Sequence, residues 1–597
     1  MLPAEILGQI YEQFLGKVIR LDEGHNAVVD DKPEVKKAGG VKYTPAYIVE
    51  YIVQNTVGPL LKGKTLQEAA ALRVLDPACG SGSFLIVAYQ HLLDWHKEWY
   101  IQNLVPLIES GRMSDIKKLL PAASPTRGKK GRSREPELPI YLGRGDEWKL
   151  TTAERKRILL NNIYGVDIDR QAVEVTKLSL LLKVLEGENE ETISKQLKLF
   201  AERALPDLSR NIKCGNSLIG WDILKDNPGM GPEEIERINP FDWEKEFPEV
   251  VHSGGFSFVI GNPPYVRQEM LGEFKSYFQR HYMVYHGIAD LYTYFIERGV
   301  SLLKENGILS YIVANKWMRA NYGNPIRRWL KNQCIEEIID FKDLPIFQGA
   351  TTYPCIIRIS KKAPSANFKV TQVKTLSFIN LDNYIGKNSY FVEVAKLDEN
   401  GWPLADEHSY MLLEKLKLSG VPQEEYVDGN IYNGIKTGLN EAFVIDLKTK
   451  DKIISEDSRS IEVMKPFLVG RDLKRYQSPK SDHFLIYIPW HFPRHNDYDI
   501  ISASAKAEAK FMEEYPAVFK HLLAFKHKLI DRDRKETNIK YEWYALQRPR
   551  QEYYQEFKKP KIMLPDISAR GNFTLDDEGK YLTANAAYII SSVSSVL

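Results

Sequence analysis

The chain has 597 residues and a mass of 68.6 kDa, which excludes a single small module and predicts roughly four domain-sized units. Hydrophobic residues make up 43% and charged residues 27%, a composition typical of a soluble globular chain and not of a disordered, collagen-like or coiled-coil one. The 81 basic and 79 acidic residues nearly cancel, so affinity for nucleic acid must come from local patches.

The cysteine content indicates a reducing compartment. Cys79, Cys214, Cys334 and Cys355 are too few and too widely spaced for a disulfide framework or a paired zinc-binding motif. No signal peptide opens the sequence, and no stretch approaches the ~18 to 20 uninterrupted apolar residues of a membrane span. We therefore expect a cytoplasmic protein with no membrane partner and no metal site.

The first 40 residues are predicted to form a helical connector. Apolar residues recur at three- and four-residue spacings over residues 1–22, which is typical of an amphipathic helix, and a polar loop follows. Thr44 and Pro45 then begin a further helix, because proline is favoured at the first helical position. A first large domain is expected over residues 41–375.

A strand, a glycine loop and a helix follow in that order. Residues 73–76 predict a short buried strand, the loop runs from Asp76 to Gly82 through Pro77, Ala78 and Gly80, and residues 84–100 predict a helix. A carboxylate at a strand end and two glycines that let a ligand approach the backbone indicate a small-molecule site. The loop lacks both the third glycine of a dinucleotide fingerprint and the Gly-Lys-Ser/Thr of a phosphate loop, so the ligand should lack a pyrophosphate.

An exposed insertion is predicted over residues 101–157. Within it, residues 127–134 are basic at five of eight positions, and we interpret them as a phosphate-contacting arm or as a disordered insertion. The alternation of strand and helix resumes at residues 163–168, where Asp167 is suited to accept hydrogen bonds from ribose hydroxyls or to cap a helix. Further strands are predicted at residues 256–260, 308–313, 335–341 and 355–359. The pattern predicts an α/β fold with a doubly wound, mainly parallel sheet.

The most specific signal follows the apolar strand at residues 256–260. Asn262, Pro263, Pro264 and Tyr265 place an amide oxygen, a free proline carbonyl and an aromatic ring together. Two acceptors and a ring suit an exocyclic amine that attacks a sulfonium methyl group, since the acceptors localise the amine lone pair and the ring stabilises the developing positive charge. The alternative interpretation is a proline-rich turn after a strand.

These motifs occur in an order that carries a resemblance. Along the chain come Tyr43-Thr44-Pro45, the loop from Asp76 to Gly82, Gly165-Val166-Asp167-Ile168-Asp169, Cys214-Gly215-Asn216-Ser217-Leu218-Ile219-Gly220, and Gly261-Asn262-Pro263-Pro264-Tyr265. The series resembles amino-group DNA methyltransferases whose cofactor-binding half comes first, and is most similar to the adenine-N6 methyltransferase region of type IIG restriction-modification enzymes. The resemblance covers residues 1–375 and implies a Rossmann-like methyltransferase domain, and residues 430–446 and 466–476 are similar to the target-recognition domain of the same family.

The resemblance implies roles for individual residues. Thr44 and Asp76 would contact the methionine part of S-adenosylmethionine, Asp167 its ribose and Asn216 its adenine, with Asn216 standing where the family more often has Asp. Pro77, Ala78, Gly80 and Gly82 would complete the cofactor loop. Asn262, Pro263, Pro264 and Tyr265 would act on the target adenine. Phe347 would be a second ring against that base, or a core residue, and the base must flip out of the duplex to reach the methyl donor.

The remainder is predicted to be a linker over residues 376–425 and a mixed α/β domain over residues 426–597, which the resemblance implies is the target-recognition domain, either complete or incomplete at its end. Residues 505–562 hold fourteen Lys/Arg against nine Asp/Glu with interleaved aromatics, which indicates a DNA-contacting surface or a solvated face. Arg548 and Arg550 are the predicted phosphate contacts.

We therefore expect a sequence-specific DNA methyltransferase that modifies N6 of a flipped-out adenine in a restriction-modification or phage-defence system. Its partner would be double-stranded DNA. Type IIG enzymes carry a nuclease, but Glu147-Trp148-Lys149 and Glu244-Lys245-Glu246 read as surface or packing residues, so a nuclease is expected on a separate or missing segment. The alternatives are methylation of a protein glutamine, methylation of ribosomal RNA adenine, and a non-catalytic DNA-specificity subunit.

Overall fold

The computed structural model describes most of the chain and divides it into two compact units, Met1–Tyr410 and Met411–Leu597. The described residues are 17–21, 27–31, 44–120, 138–143, 145–187, 205–266, 274–347, 352–497, 499–500, 502–532, 540–568 and 570–591. The basic run at residues 127–134 and Tyr43 lie outside them. Among the described helices, none combines the length and the hydropathy that a bilayer crossing requires.

A nine-stranded sheet organises the first unit. The strands of this unit are β1 (Lys17–Leu21), β2 (Ala27–Asp31), β3 (Val74–Asp76), β4 (Ile140–Leu142), β5 (Trp148–Leu150), β6 (Ile163–Asp167), β7 (Ile212–Cys214), β8 (Phe256–Gly261), β9 (Leu303–Ala314), β10 (Cys334–Asp340), β11 (Pro354–Ser360), β12 (Asn367–Gln372) and β13 (Tyr390–Glu393). The order in the nine-stranded sheet is β13-β12-β10-β11-β9-β8-β3-β6-β7.

The sheet is mostly parallel, as predicted. The neighbours β7, β6, β3, β8 and β9 run parallel, and β12 runs parallel to β10. β11 is antiparallel to both β9 and β10. The strand predicted at residues 355–359 therefore lies in the sheet but runs in the reverse direction to its neighbours.

Helices cover both faces of this sheet. Along β8 every residue is buried, with Phe258 and Ile260 in one apolar cluster and Val259 in another, because successive side chains of a strand point to opposite faces. The helices are Ala46–Leu61, Leu66–Ala70, Ser83–Asn103, Val105–Glu109, Met113–Leu119, Thr152–Asn162, Arg170–Leu185, Ile223–Asp226, Pro232–Ile238, Trp243–Glu246, Pro248–His252, Lys275–His281, Leu291–Leu302, Asn324–Leu330, Leu381–Asn388 and Glu407–Ser419, with 3₁₀ turns at Asn315–Met318, Asn321–Gly323 and Val394–Lys396.

Three predictions for this unit need correction. The helix predicted over residues 1–22 does not reach its end, because Lys17–Leu21 pairs antiparallel with Ala27–Asp31, and both segments are rich in strand-favouring β-branched residues. The predicted insertion is partly buried, since Ile116 and Ile140 belong to the apolar cluster that also contains buried residues of the helix Ser83–Asn103. The predicted linker begins inside the fold, because β13 pairs with β12.

The second unit has two four-stranded sheets. Their orders are β14-β21-β18-β19 and β15-β17-β16-β20, formed by β14 (Ile431–Asn433), β15 (Val444–Asp446), β16 (Met464–Leu468), β17 (His483–Ile486), β18 (Lys561–Pro565), β19 (Thr574–Asp576), β20 (Leu582–Thr583) and β21 (Ala587–Ile590). The helices are Gln423–Tyr426, Asn440–Phe443, Leu447–Glu456, Ala505–Glu514, Pro516–Leu523 and Lys526–Asp531, with 3₁₀ turns at Ser458–Val463, Gly470–Asp472 and Gln551–Lys558.

Candidate active site

The glycine loop follows β3 at the carboxyl edge of the sheet. Asp76 is 1% exposed, and its Oδ1 accepts the backbone N–H of Ala78 at 3.0 Å. The Gly82 N–H donates to the Cys79 carbonyl at 2.8 Å, and Ser217 donates its hydroxyl to the Pro77 carbonyl at 2.5 Å. These bonds fix the loop as a tight turn between the strand and the helix that begins at Ser83.

Two positions in this region must be glycine, because a Cβ atom there would lie too close to a neighbouring side chain. Gly82 has φ = +86°, and a Cβ there would lie 2.9 Å from Cγ2 of Thr176. A Cβ on Gly261, the last residue of β8, would lie 2.7 Å from Oδ1 of Asp76. The loop after β3 and the loop after β8 are therefore in contact, as the adjacent parallel strands require.

Asp167 ends β6, next to β3 in the sheet, and braces the glycine loop. Its Oδ2 accepts the N–H of Gly80 at 2.8 Å, and its Oδ1 accepts the N–H of Asp169 at 2.9 Å. Burial raises the pKa of this carboxyl above its ordinary value, although the two N–H donors act in the opposite direction. Each carboxylate oxygen can accept a second hydrogen bond, so the geometry is compatible with the predicted ribose contact.

Asn216, predicted to contact the cofactor adenine, has its side chain engaged locally. Oδ1 accepts the N–H groups of Leu218 at 3.1 Å and Ile219 at 3.3 Å, and Nδ2 donates to the Ile238 carbonyl at 3.2 Å. The side chain thus organises the turn after β7. Its contact with adenine stays a prediction, with the amide already committed to three backbone partners.

We expect Asn216→Asp, which installs the residue more usual in the family, to destabilise the protein. The carboxylate would still accept from Leu218 and Ile219 but would lose the donor to Ile238 and place a charge beside that carbonyl. The expected loss is about 1 to 3 kcal/mol. Thermal unfolding would measure it, and an unchanged or raised midpoint would show that the amide is not needed as a donor.

The loop after β8 contains the predicted catalytic motif and makes a hydrogen bond that the sequence does not predict. Asn262 Nδ2 donates to the hydroxyl oxygen of Thr44 at 3.0 Å, and Thr44 is buried. The two residues are 218 positions apart, and no local signal in the sequence predicts the pair. The bond orients the amide plane, so that Nδ2 is directed at Thr44 and the carbonyl side of the amide is directed elsewhere.

An aromatic group lies beside this loop. The Tyr265 hydroxyl donates to the Ile312 carbonyl at 3.2 Å, and burial raises the pKa of the Tyr265 phenol, so the ring is neutral. Phe347 is buried with its centroid 6.2 Å from that of Tyr265 and the planes at 83°, and Tyr292 packs edge-on to Tyr265 at 5.8 Å. Phe347 is thus near Tyr265 with the two rings perpendicular, and its contact with a target base stays a prediction.

The remaining predicted residues are two prolines of the loop after β8 and two arginines of the second unit. Pro263 is buried and Pro264 is exposed within the loop. Arg548 and Arg550 belong to the second unit, where Arg550 donates to the Gly434 carbonyl and to Asn585 Oδ1, both at 3.2 Å. Their contact with phosphate stays a prediction.

The two acidic fragments inspected for a nuclease are engaged in ion pairs with lysines. Glu147 pairs with Lys97 at 2.7 Å, and Glu246 pairs with Lys213 at 2.7 Å. Both pairs are partly exposed, which agrees with their interpretation as surface or packing residues.

Comparison with known proteins gives two family matches. The N-6 DNA Methylase model matches residues 3–103, and the Eco57I restriction-modification methylase model matches residues 161–347. These regions contain the glycine loop, Asp167, Asn216 and the loop after β8.

Among curated relatives, the type II restriction enzyme and methyltransferase RM.Eco57I of Escherichia coli is 30% identical over 574 residues, covering 91% of this chain and 51% of that protein. The type II methyltransferase M.PaeR7I of Pseudomonas aeruginosa is 25% identical and covers 57% of each chain. The chain thus spans about half the length of these relatives.

A solved structure shares the fold along the whole chain. The type IIL restriction-modification enzyme MmeI, determined in complex with DNA, superposes with a TM-score of 0.54 at 14% identity, covering 100% of this chain and 66% of that one.

Proposed function

We propose that this chain, which is related to the type II restriction-modification methyltransferases, moves a methyl group from S-adenosylmethionine to N6 of an adenine in double-stranded DNA. The observation that carries the proposal is the contact of the loop after β8, with its Asn262 amide held by Thr44, against the glycine loop after β3. An acceptor for a target amine and a cofactor cradle thereby occupy neighbouring strand ends.

The cradle fits the cofactor in its chemistry. Gly82 and Gly261 leave no room for a Cβ, Asp167 retains acceptor capacity for ribose hydroxyls, and Asp76 supplies an anion for the methionine ammonium. The cofactor supplies an electrophilic methyl group on a sulfonium sulfur. Asp76 at the end of β3 and Asp167 at the end of β6 would hold it.

The loop after β8 would act on the target amine. The Asn262 carbonyl oxygen and the Pro263 carbonyl accept the two amine hydrogens, which withdraws the lone pair from the purine ring and frees it for attack. The Tyr265 ring lies beside them and stabilises the developing charge. Because N6 is paired within a duplex, the adenine must leave the stack to reach these groups.

The remaining part of the proposal concerns the nuclease and the second unit. RM.Eco57I is named both a restriction enzyme and a methyltransferase, and we place this chain in the modification half of such a system, with a nuclease on another segment or chain. We assign target recognition to residues 411–597, which form a separate compact unit.

Methyl transfer from tritiated S-adenosylmethionine tests the proposal. Purified protein would be offered duplex DNA, ribosomal RNA and a cell protein extract, and methylated nucleosides would be identified by mass spectrometry. We expect label in DNA as N6-methyladenine at one sequence. Label confined to RNA or protein would select one of the alternative methyltransferases, and no label in any would favour a non-catalytic specificity subunit.

Thr44→Val separates two roles for this residue. If Thr44 orients Asn262, the variant should lower kcat by about fivefold with little change in cofactor affinity, because about 1 kcal/mol of one hydrogen bond is lost. Thr44→Ser, which keeps the hydroxyl, should be close to wild type. If Thr44 only contacts the methionine group, the variant should instead weaken cofactor binding and leave kcat unchanged, which calorimetry and single-turnover rates would show.

A further inference from the structure

We infer that a cationic surface of the second unit, made by Arg471, Lys474, Arg475, Lys480 and Arg570 around Tyr476, binds the sugar-phosphate backbone of DNA. This inference rests on the proposed function for the identity of the polyanion. It places the DNA contact on different residues from those that composition predicts, which are residues 505–562.

Two segments distant in sequence form this surface. The Tyr476 N–H donates to the Phe573 carbonyl at 3.1 Å, and the Thr574 hydroxyl donates to the Lys474 carbonyl at 2.9 Å. The stretch 471–480 is thereby held beside the stretch 566–574. The cations of both stretches share one region of the unit.

This surface carries a net positive charge. All five cations are exposed, and none makes an ion pair with a described residue. The two stretches hold only two acids, Asp472 and Asp566, so their net charge is +3. Asp472 is engaged, since its Oδ2 accepts the Val469 N–H at 2.9 Å. Such a field attracts a polyanion.

Tyr476 is an exposed aromatic residue of this surface. Its side chain is 83% exposed, its backbone has φ = +54°, which is uncommon for an aromatic residue, and the Arg475 guanidinium lies 4.9 Å from its ring centroid. An exposed ring beside a guanidinium offers a stacking and apolar contact to a sugar or base.

The face predicted from composition has the opposite character. Several of its lysines pair with acids: Lys510 with Glu514, Lys520 with Glu456, Lys526 with Glu508 and Lys528 with Glu441. The interleaved aromatics Tyr541, Trp543 and Tyr544 are buried in the core of the unit. Arg532 donates to three backbone carbonyls there. Part of the positive charge of residues 505–562 is therefore neutralised by ion pairs or held by the backbone.

Salt-dependent DNA binding by the full chain tests the inference. The test variant combines Arg471→Gln, Lys474→Gln, Arg475→Gln and Arg570→Gln. The control combines Lys510→Gln, Lys520→Gln, Lys526→Gln and Lys528→Gln, which changes the net charge equally at paired lysines. Fluorescence anisotropy with one duplex over about 50 to 200 mM salt gives the slope of log K against log salt.

We expect the test variant to lose about three to four units of slope and to bind about 10- to 1,000-fold more weakly, since each phosphate contact contributes about 0.9 units. The control should keep the wild-type slope within about one unit. Tyr476→Ala should weaken binding without changing the slope. An unchanged slope in the test variant, or an equal loss in the control, would overturn the inference.

Two further measurements separate this inference from the proposed function. Cofactor affinity and the melting midpoint of the test variant should match wild type, which excludes a folding defect. If wild-type protein binds DNA through this surface but incorporates no methyl group, the proposed function fails and the surface stands. If methyl transfer occurs with a slope insensitive to these four cations, the surface fails and the function stands.

Discussion

Asn262→Ala is expected to reduce the rate of methyl transfer to DNA by about 100- to 1,000-fold, the range seen when a group that stabilises developing charge is removed. The side chain supplies one of the two acceptors for the target amine, and Thr44 fixes its orientation at 3.0 Å. Cofactor affinity should remain near wild type, because the loss affects the acceptor of the methyl group and not its donor. Single-turnover incorporation of tritiated methyl groups would measure the rate.

The matched control is Asn332→Ala, an exposed asparagine of the same unit whose Nδ2 donates only to the Arg328 carbonyl in the described residues. Its rate should equal that of wild type. If Asn262→Ala stays within about threefold of wild type, a barrier change of roughly 0.65 kcal/mol, the loop after β8 does not act on the amine. A large loss of cofactor affinity would instead place Asn262 in the cofactor site.

The sequence predicts the position of those site residues that lie at the ends of strands. Asp76, Asp167 and Asn262 each follow an apolar strand, and adjacent parallel strands bring their carboxyl ends to one edge of the sheet. The Thr44 contact could not be predicted, because a hydrogen bond across 218 residues leaves no periodic or compositional trace.

Composition is a weak guide where burial decides the role of a residue. The stretch 505–562 is predicted to contact DNA partly for its aromatics, but Tyr541 and Tyr544 are fully buried. Short strands give little signal of their own. β13 has four residues and buries only Val392, and its place is set by pairing with β12. Trp402, within the predicted linker, packs edge-on against Trp317 in the core.

Asp76→Asn should weaken binding of S-adenosylmethionine by about 10- to 100-fold while preserving the fold. The carboxylate is the anion placed to receive the methionine ammonium, and a charge-assisted hydrogen bond contributes about 1.5 to 3 kcal/mol. The amide oxygen of Asn can still accept the Ala78 N–H, which the structure shows at 3.0 Å, so the loop after β3 should keep its turn. Calorimetric titration with the cofactor would measure the affinity.

Glu147→Gln is the matched control for this loss of charge, because Glu147 pairs with Lys97 outside the glycine loop and is partly exposed. Its cofactor affinity should equal that of wild type. Asp76 is only 1% exposed, so its charge acts on the cofactor only if the ligand reaches this edge of the sheet. Gly261 leaves the approach to Asp76 open, since a Cβ there would lie 2.7 Å from Oδ1. Wild-type affinity in Asp76→Asn, with an unchanged melting midpoint, would therefore limit Asp76 to holding the loop and would move the methionine contact to another residue of the same edge.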